Sequence, residues 1–194
     1  MKDPYLQLKE LVHALYPLSA EEWQAFEAVW KPFELKRREM ITVAGAKEKY
    51  LYFIVEGVQR IYFLDEHDRE ATLVFTYAPS FGGVLDSFLL QQPSRYHYET
   101  LTASSFLRAS SDQVEELMEK WPAISTMIRK GLTHAFAGLL ERQAELQCYS
   151  SEEKFRKLLK RSPHILNIVP QKYLADYLGI DATNFSKLVN KIRI

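Results

Sequence analysis

Pro170-Gln-Lys-Tyr-Leu-Ala-Asp-Tyr-Leu-Gly-Ile-Asp-Ala-Thr-Asn-Phe-Ser-Lys-Leu-Val-Asn-Lys-Ile192 decides how this chain reads. It predicts two short helices joined by a tight turn. Pro170 suits a first helical turn, where its missing N–H costs little. Gly179 ends that helix by supplying a left-handed residue. Asp181 is placed to cap the second helix. Phe185, Leu188, Val189 and Ile192 follow at helical spacing and make one apolar stripe. Leu174, Ala175 and Leu178 make the facing stripe, and Ile180 plugs the turn. The opposite face carries Thr183, Asn184, Ser186, Lys187, Asn190 and Lys191, with no acid among them. Asn and Lys read base edges, while Lys and Ser hold phosphates. The pattern is a helix-turn-helix. An ordinary helical hairpin would share the apolar stripes; the acid-free polar face is what points to DNA. Gln171 and Lys172, at the start of the first helix, are further DNA-contact candidates.

Charge supports this. The 194 residues carry 25 basic and 25 acidic side chains, so the net charge is zero. From Tyr149 to Ile194, however, nine Lys/Arg face four Asp/Glu, a net of +5. The rest of the chain is −5, which suggests an acidic sensor joined to a basic nucleic-acid-binding end. The single cysteine, Cys148, excludes an internal disulfide and any cysteine-ligated zinc or iron–sulfur site. The five histidines are scattered through unrelated elements, and no nucleophile–base pairing, P-loop or metal spacing appears. No enzyme, cofactor or metal is expected. No signal sequence and no apolar run of membrane-spanning length appears, so a soluble cytoplasmic protein without membrane partners is expected.

Upstream, residues 5–16 and 19–30 read as helices, the second opened by a Ser19–Glu22 capping box. From Phe33 the apolar period becomes two. Short strands are expected at Met40–Val43, Tyr50–Val55, Val58–Leu64, Ala71–Tyr77, Tyr96–Leu101 and Ser105–Ala109, with a short helix at Val84–Leu90. Such spacing describes an antiparallel roll. Ser111 or Asp112 is expected to cap a helix running to Lys120. Another helix runs unbroken from Pro122 to about Cys148, roughly 40 Å. Its apolar residues spread around several sides. Ile128, Gly131, Ala135, Gly138 and Leu139 are where a second copy of this helix would approach, although burial within one protomer would also satisfy the pattern.

The order of helices, roll, long helix and helix-turn-helix resembles the Crp/Fnr family of bacterial transcription regulators over essentially the whole chain. Tyr50-Leu-Tyr-Phe-Ile-Val-Glu-Gly57 looks like the family's roll strand ending in its turn glycine. Phe81-Gly-Gly-Val-Leu-Asp-Ser-Phe88 through Pro93-Ser-Arg-Tyr96 stands where a phosphate-binding cassette belongs. Leu174-Ala-Asp-Tyr-Leu-Gly-Ile180 with Phe185-Ser-Lys187 looks like the family's DNA-reading motif. The resemblance implies an α+β fold: an antiparallel, jelly-roll-like β-roll with flanking helices, a long dimerisation helix and a helix-turn-helix. The corresponding domains are 1–121, 122–148 and 149–194. It implies a homodimer on a two-fold double-stranded DNA site, with RNA polymerase as a further partner. It also places a ligand pocket at Gly82, Gly83, Val84, Leu85, Ser94, Arg95 and Tyr96.

Two departures weigh against cyclic AMP. The family's Gly-Glu-Leu, whose Glu holds the ribose, reads Gly83-Val84-Leu85 here, and the phosphate-binding Arg position falls on Ser94, with Arg95 one residue later. In the second helix, the family's usual base-reading positions fall on Ala182 and Thr183, and only Lys187 stays basic. Base preference does not transfer, and a different small ligand or none is expected. Little or no wing is expected after the second helix. The competing expectation is a ligand-sensing or protein-interaction module that no longer binds DNA.

Overall fold

The computed structural model describes residues 3–191. Two helices open the chain, α1 (Pro4–Leu15) and α2 (Ala20–Ala28), the latter held by the Ser19–Glu22 capping box. The strands β1 (Lys31–Leu35), β2 (Met40–Thr42), β3 (Tyr50–Glu56), β4 (Val58–Leu64), β5 (Glu70–Tyr77) and β6 (Ser80–Gly82) come next. A short helix α3 (Leu85–Leu90) precedes β7 (His97–Thr100) and β8 (Ser104–Ser110). Then come α4 (Ser111–Lys120), α5 (Pro122–Cys148), α6 (Ser151–Arg161), α7 (Ile165–Ile168), α8 (Gln171–Leu178) and α9 (Ala182–Lys191).

The strands form two four-stranded antiparallel sheets, ordered β1-β8-β3-β6 and β2-β7-β4-β5. Alternation sends Tyr52, Ile54 and Phe106 into the roll, where they pack with Ile61, Val84 and Tyr98. Leu51, Phe53, Leu107 and Ala109 point outward, against a helical layer that includes Trp23, Phe26, Val114, Ile124 and Met127. A third cluster belongs to the C-terminal helices and reaches Val58 and Leu101 of the roll. Among the described residues, no helix is long and apolar enough to cross a membrane.

Several expectations shift at element ends. The cap of α4 is Ser110, one residue ahead of either expected candidate, because its hydroxyl accepts from the Gln113 N–H in a full capping box. The Pro79–Gly83 stretch, where no strand was expected, contains β6: Ser80–Gly82 pair with β3 despite the glycines. Pro170 is the N-cap of α8 and lies just outside its first turn. The small helix α7 has no counterpart in the sequence reading, since four residues carry no helical period.

Candidate nucleic-acid interface and the roll interior

The C-terminal pair folds as its stripes require. Gly179 closes α8 in the left-handed region at φ 60°, and the Asp181 carboxylate accepts the Asn184 N–H at 2.9 Å to start α9. Leu174, Ala175, Leu178, Ile180, Phe185 and Leu188 are buried together, with Phe185 edge-on to Phe155 of α6. Ile192 lies outside the described residues. Ala182, Thr183, Ser186, Lys187, Asn190 and Lys191 are exposed, and Asn184 is half-buried. Gln171 and Lys172 are exposed at the start of α8, with the Lys172 ammonium over the Tyr173 ring. The expected reading residues are thus open to solvent, Asn184 in part. Lys191 is drawn to one side, where its ammonium meets Glu152 of α6 at 3.0 Å.

The roll clasps this module through contacts the sequence reading did not foresee. The Thr72 N–H of β5 donates to the Asp176 carboxylate of α8 at 2.6 Å. Phe75 meets Tyr177 at 5.1 Å between ring centroids, and the Tyr77 hydroxyl bonds the Ser162 hydroxyl. Arg60 of β4 is 2 % exposed and lies between the carboxylates of Glu99 and Glu70, at 2.6 and 2.7 Å. Its guanidinium also stacks 4.0 Å from the centroid of Tyr173. An arginine in mid-strand, beside Gln59 within Val58–Leu64, was the one available signal. On the other side, Arg142 of α5 donates to the Tyr177 carbonyl and stacks on its ring, while Arg142 and Arg161 both pair with buried Glu145.

Of the residues expected to line a ligand pocket, Gly82, Val84 and Tyr96 adjoin the roll core, while Leu85 and Arg95 turn elsewhere. Gly82 lies directly under the Tyr98 phenol; a Cβ there would stand 2.5 Å from the Tyr98 oxygen. Tyr98 is fully buried and bonds the Thr76 hydroxyl, whose own proton goes to the Gln59 side-chain carbonyl, so the phenol is the donor. Gly83 turns the chain at φ 123°, and Val84 packs into the roll core. Leu85 points away, into the helical layer. Ser94 both accepts the Tyr96 N–H and donates to the Tyr96 carbonyl, so its hydroxyl is spent on its own loop. Arg95 is exposed, and Tyr96 is half-buried against the roll core.

The amide that opens the cassette has an internal partner. Val84 N–H donates to the Glu48 carboxylate at 3.4 Å, which also accepts from the Thr42 hydroxyl at 2.5 Å and from Tyr50 N–H at 3.2 Å. Glu48 is 2 % exposed, and burial pushes its carboxyl above the usual range despite those donors. In the sequence, Lys47-Glu-Lys49 reads as a charged turn, which hid this residue.

Of the long-helix residues expected to face a second copy, Ile128 and Gly131 are half-buried in their own protomer, beside Leu11 and Leu15 of α1. Ala135, Gly138 and Leu139 are exposed, and Phe136, Leu139 and Leu140 form an open apolar face on α5, at 62, 52 and 56 % exposure. Among the described residues, no group of three or more His, Cys, Asp or Glu is placed to hold a metal ion.

Residues 32–120 match the cyclic nucleotide-binding domain family. The global nitrogen regulator of Nostoc sp. strain PCC 7120 is 28% identical over 110 residues, which are 56% of this chain and 48% of that one; the match spans about half of that relative. The structure of FixK2 from Bradyrhizobium japonicum superposes with a TM-score of 0.76, at 15% identity over 84% of each chain. CLP of Xanthomonas campestris, described as a c-di-GMP responsive global regulator, gives 0.66 at 17% identity over 89% of this chain and 91% of that one. The catabolite activator protein of Thermus thermophilus gives 0.56 at 16% identity over 97% and 86%. The fold is that of the Crp/Fnr regulators: antiparallel sheets, flanking helices, a long helix and a C-terminal helical region.

Proposed function

We propose that this chain is a cytoplasmic, DNA-binding transcription regulator of the Crp/Fnr type, acting as a homodimer on RNA polymerase, and that its roll takes no cyclic nucleotide. The observation that carries the reading is the exposed face of α9. Thr183, Ser186, Lys187 and Asn190 stand outward on a helix whose other face is locked into the module core. A helix so presented can enter a major groove, with Asn and Lys at base edges and Ser at phosphate. Dimerisation is supported by the apolar face at Phe136, Leu139 and Leu140, which a second long helix would cover.

Three features support the silence toward cyclic nucleotides. Val84 offers no carboxylate to a ribose, the Ser94 hydroxyl is engaged in its loop, and the Glu48 carboxylate already holds the cassette amide. A cyclic phosphate at the cassette would meet that buried carboxylate, and neither the engaged Ser94 hydroxyl nor the exposed Arg95 seats a cation there.

The test is a gel-shift selection from genomic fragments, repeated with Lys187→Ala. The variant should lose about 1–3 kcal/mol of specific affinity, as expected for one base or phosphate contact, with an unchanged melting temperature. If the variant retains every fragment at parental affinity, α9 is not the reading helix. If the parent selects none, the interaction-module alternative holds.

A further inference from the structure

A cavity of about 320 Å³ opens at the mouth of the roll between β1, β2 and the start of β3, and none of Gly82, Gly83, Ser94 or Arg95 lines it. Its cation is Arg108, carried by β8. The guanidinium carbon lies over two rings, 3.8 Å from the centroid of Phe33 and 4.3 Å from that of Tyr50. Among the described residues, its side chain makes no ion pair and no hydrogen bond. Stacking occupies the faces of a guanidinium and leaves its N–H edge free. Two rings therefore hold this cation in place while its donors stay uncommitted.

A second donor stands beside it. Tyr52 is only 3 % exposed and lines the same cavity, yet its hydroxyl has no hydrogen-bond partner among the described residues. The oxygen is not itself closed off from solvent, so the hydroxyl is open to the cavity and free to donate to a bound acceptor. Arg108 and Glu48 both act electrostatically on this phenol, so the three groups are neighbours. Glu48 is the charge that would oppose an anion, but its oxygens are already turned to Thr42, Tyr50 N–H and Val84 N–H. Lys47 and Lys49, exposed at the rim and without ion-pair partners among the described residues, leave the cavity with an excess of positive charge. The remaining wall is apolar, with Leu35, Met40, Ile41 and Val43.

We propose that this cavity binds a small organic carboxylate with a compact apolar body. The carboxylate would take two parallel N–H donors from the fixed guanidinium edge and a third from the Tyr52 hydroxyl. The apolar body would lie on Leu35, Met40 and Ile41. An inorganic oxyanion would find the same donors but leave that wall unused. The site stands apart from the DNA-reading face and does not depend on it, so binding is read on the free protein.

The test is isothermal titration of the full chain with sodium benzoate and with sodium sulfate. Benzoate should bind in the millimolar range or tighter, and sulfate about tenfold more weakly. Arg108→Met should weaken benzoate by about tenfold or more, the loss expected for a charge-assisted bidentate contact. Arg108→Lys keeps the charge without the fork and should also weaken it, with the melting temperature unchanged, which separates recognition from folding. Tyr52→Phe should weaken it about threefold, and Arg95→Ala should leave it as in the parent. Parental affinity in both Arg108 variants, sulfate binding as tightly as benzoate, or no heat from benzoate at saturating millimolar concentration would each overturn the proposal.

Discussion

Glu48 and Glu145 are both carboxylates closed off from water, at 2 and 1 % exposure, yet the molecule answers them in opposite ways. Inside the roll, Glu48 meets only neutral donors: the Thr42 hydroxyl and the backbone amides of Tyr50, Val84 and Lys49. Burial wins, and its carboxyl sits above the usual range. Where α5, α6 and α8 meet, burial alone would raise Glu145 too. There the hydrogen bonds and charges of Arg161, followed by those of Arg142, overcome it and hold its carboxyl below the usual range. The difference separates a filling from a brace. Glu48 fills a cradle with a group that one proton can neutralise, whereas Glu145 ties three helices into one arrangement with cations that cannot be discharged.

The brace should be the more costly to break. Glu145→Ala leaves Arg142, itself 7 % exposed, without its carboxylate. Removing one partner of a buried pair costs about 3 kcal/mol or more. Urea unfolding should show that loss, with the C-terminal helices opening first in hydrogen exchange. Glu48→Gln keeps the size and a carbonyl acceptor and should cost about 1 kcal/mol or less. Equal losses in the two variants would erase the distinction.

The next effect probes whether the roll interior is filled. Gly82→Ala places a methyl group 2.5 Å from the Tyr98 oxygen and 2.9 Å from the Ile54 side chain. Both neighbours are fully buried, so neither can swing away cheaply. Overpacking of this kind costs about 1–3 kcal/mol, and a calorimetric melt should show it. A roll with an open ligand chamber at Gly82 would accept the methyl without loss.

The sequence was most readable where one residue type has one physical use. Gly179, Asp181 and the Ser19, Ser150 and Pro122 helix starts did what their local chemistry dictates, and strand alternation separated the two faces of the sheets. The acid-free polar face of α9 was visible for the same reason, because α9 is amphipathic by itself. The order of the elements was legible as well, and that order carried the resemblance. What stayed hidden depended on partners far along the chain. Glu48 bonds Val84, Asp176 bonds Thr72, and Arg60 stacks on Tyr173, at separations no local period encodes. Arg108 alternates in its strand like any solvated residue; only Phe33 and Tyr50, brought in by two other strands, make it a fixed cation.

The smallest expected effect is also the sharpest test of the opening contrast, because the two carboxylates predict opposite slopes of stability against pH. A free Glu titrates near about 4.3. Folded Glu48 titrates above that, so between the two values the native state binds more protons than the unfolded chain, and stability falls as pH rises. Its contribution is complete below the unfolded value and is lost as pH rises through the folded one. Folded Glu145 titrates below the free value, so between the two the unfolded chain binds more protons. Its contribution is present above the unfolded value and is lost as pH falls through the folded one. Urea unfolding of the parent, Glu48→Gln and Glu145→Gln across a pH series isolates each term by subtraction. The parent-minus-Glu48→Gln difference should decline with rising pH above about 4.3, and the parent-minus-Glu145→Gln difference should climb with rising pH below it. Two slopes of the same sign would mean that neutral donors hold the Glu48 charge as firmly as arginines hold the other, and the roll would then be braced as the helical junction is.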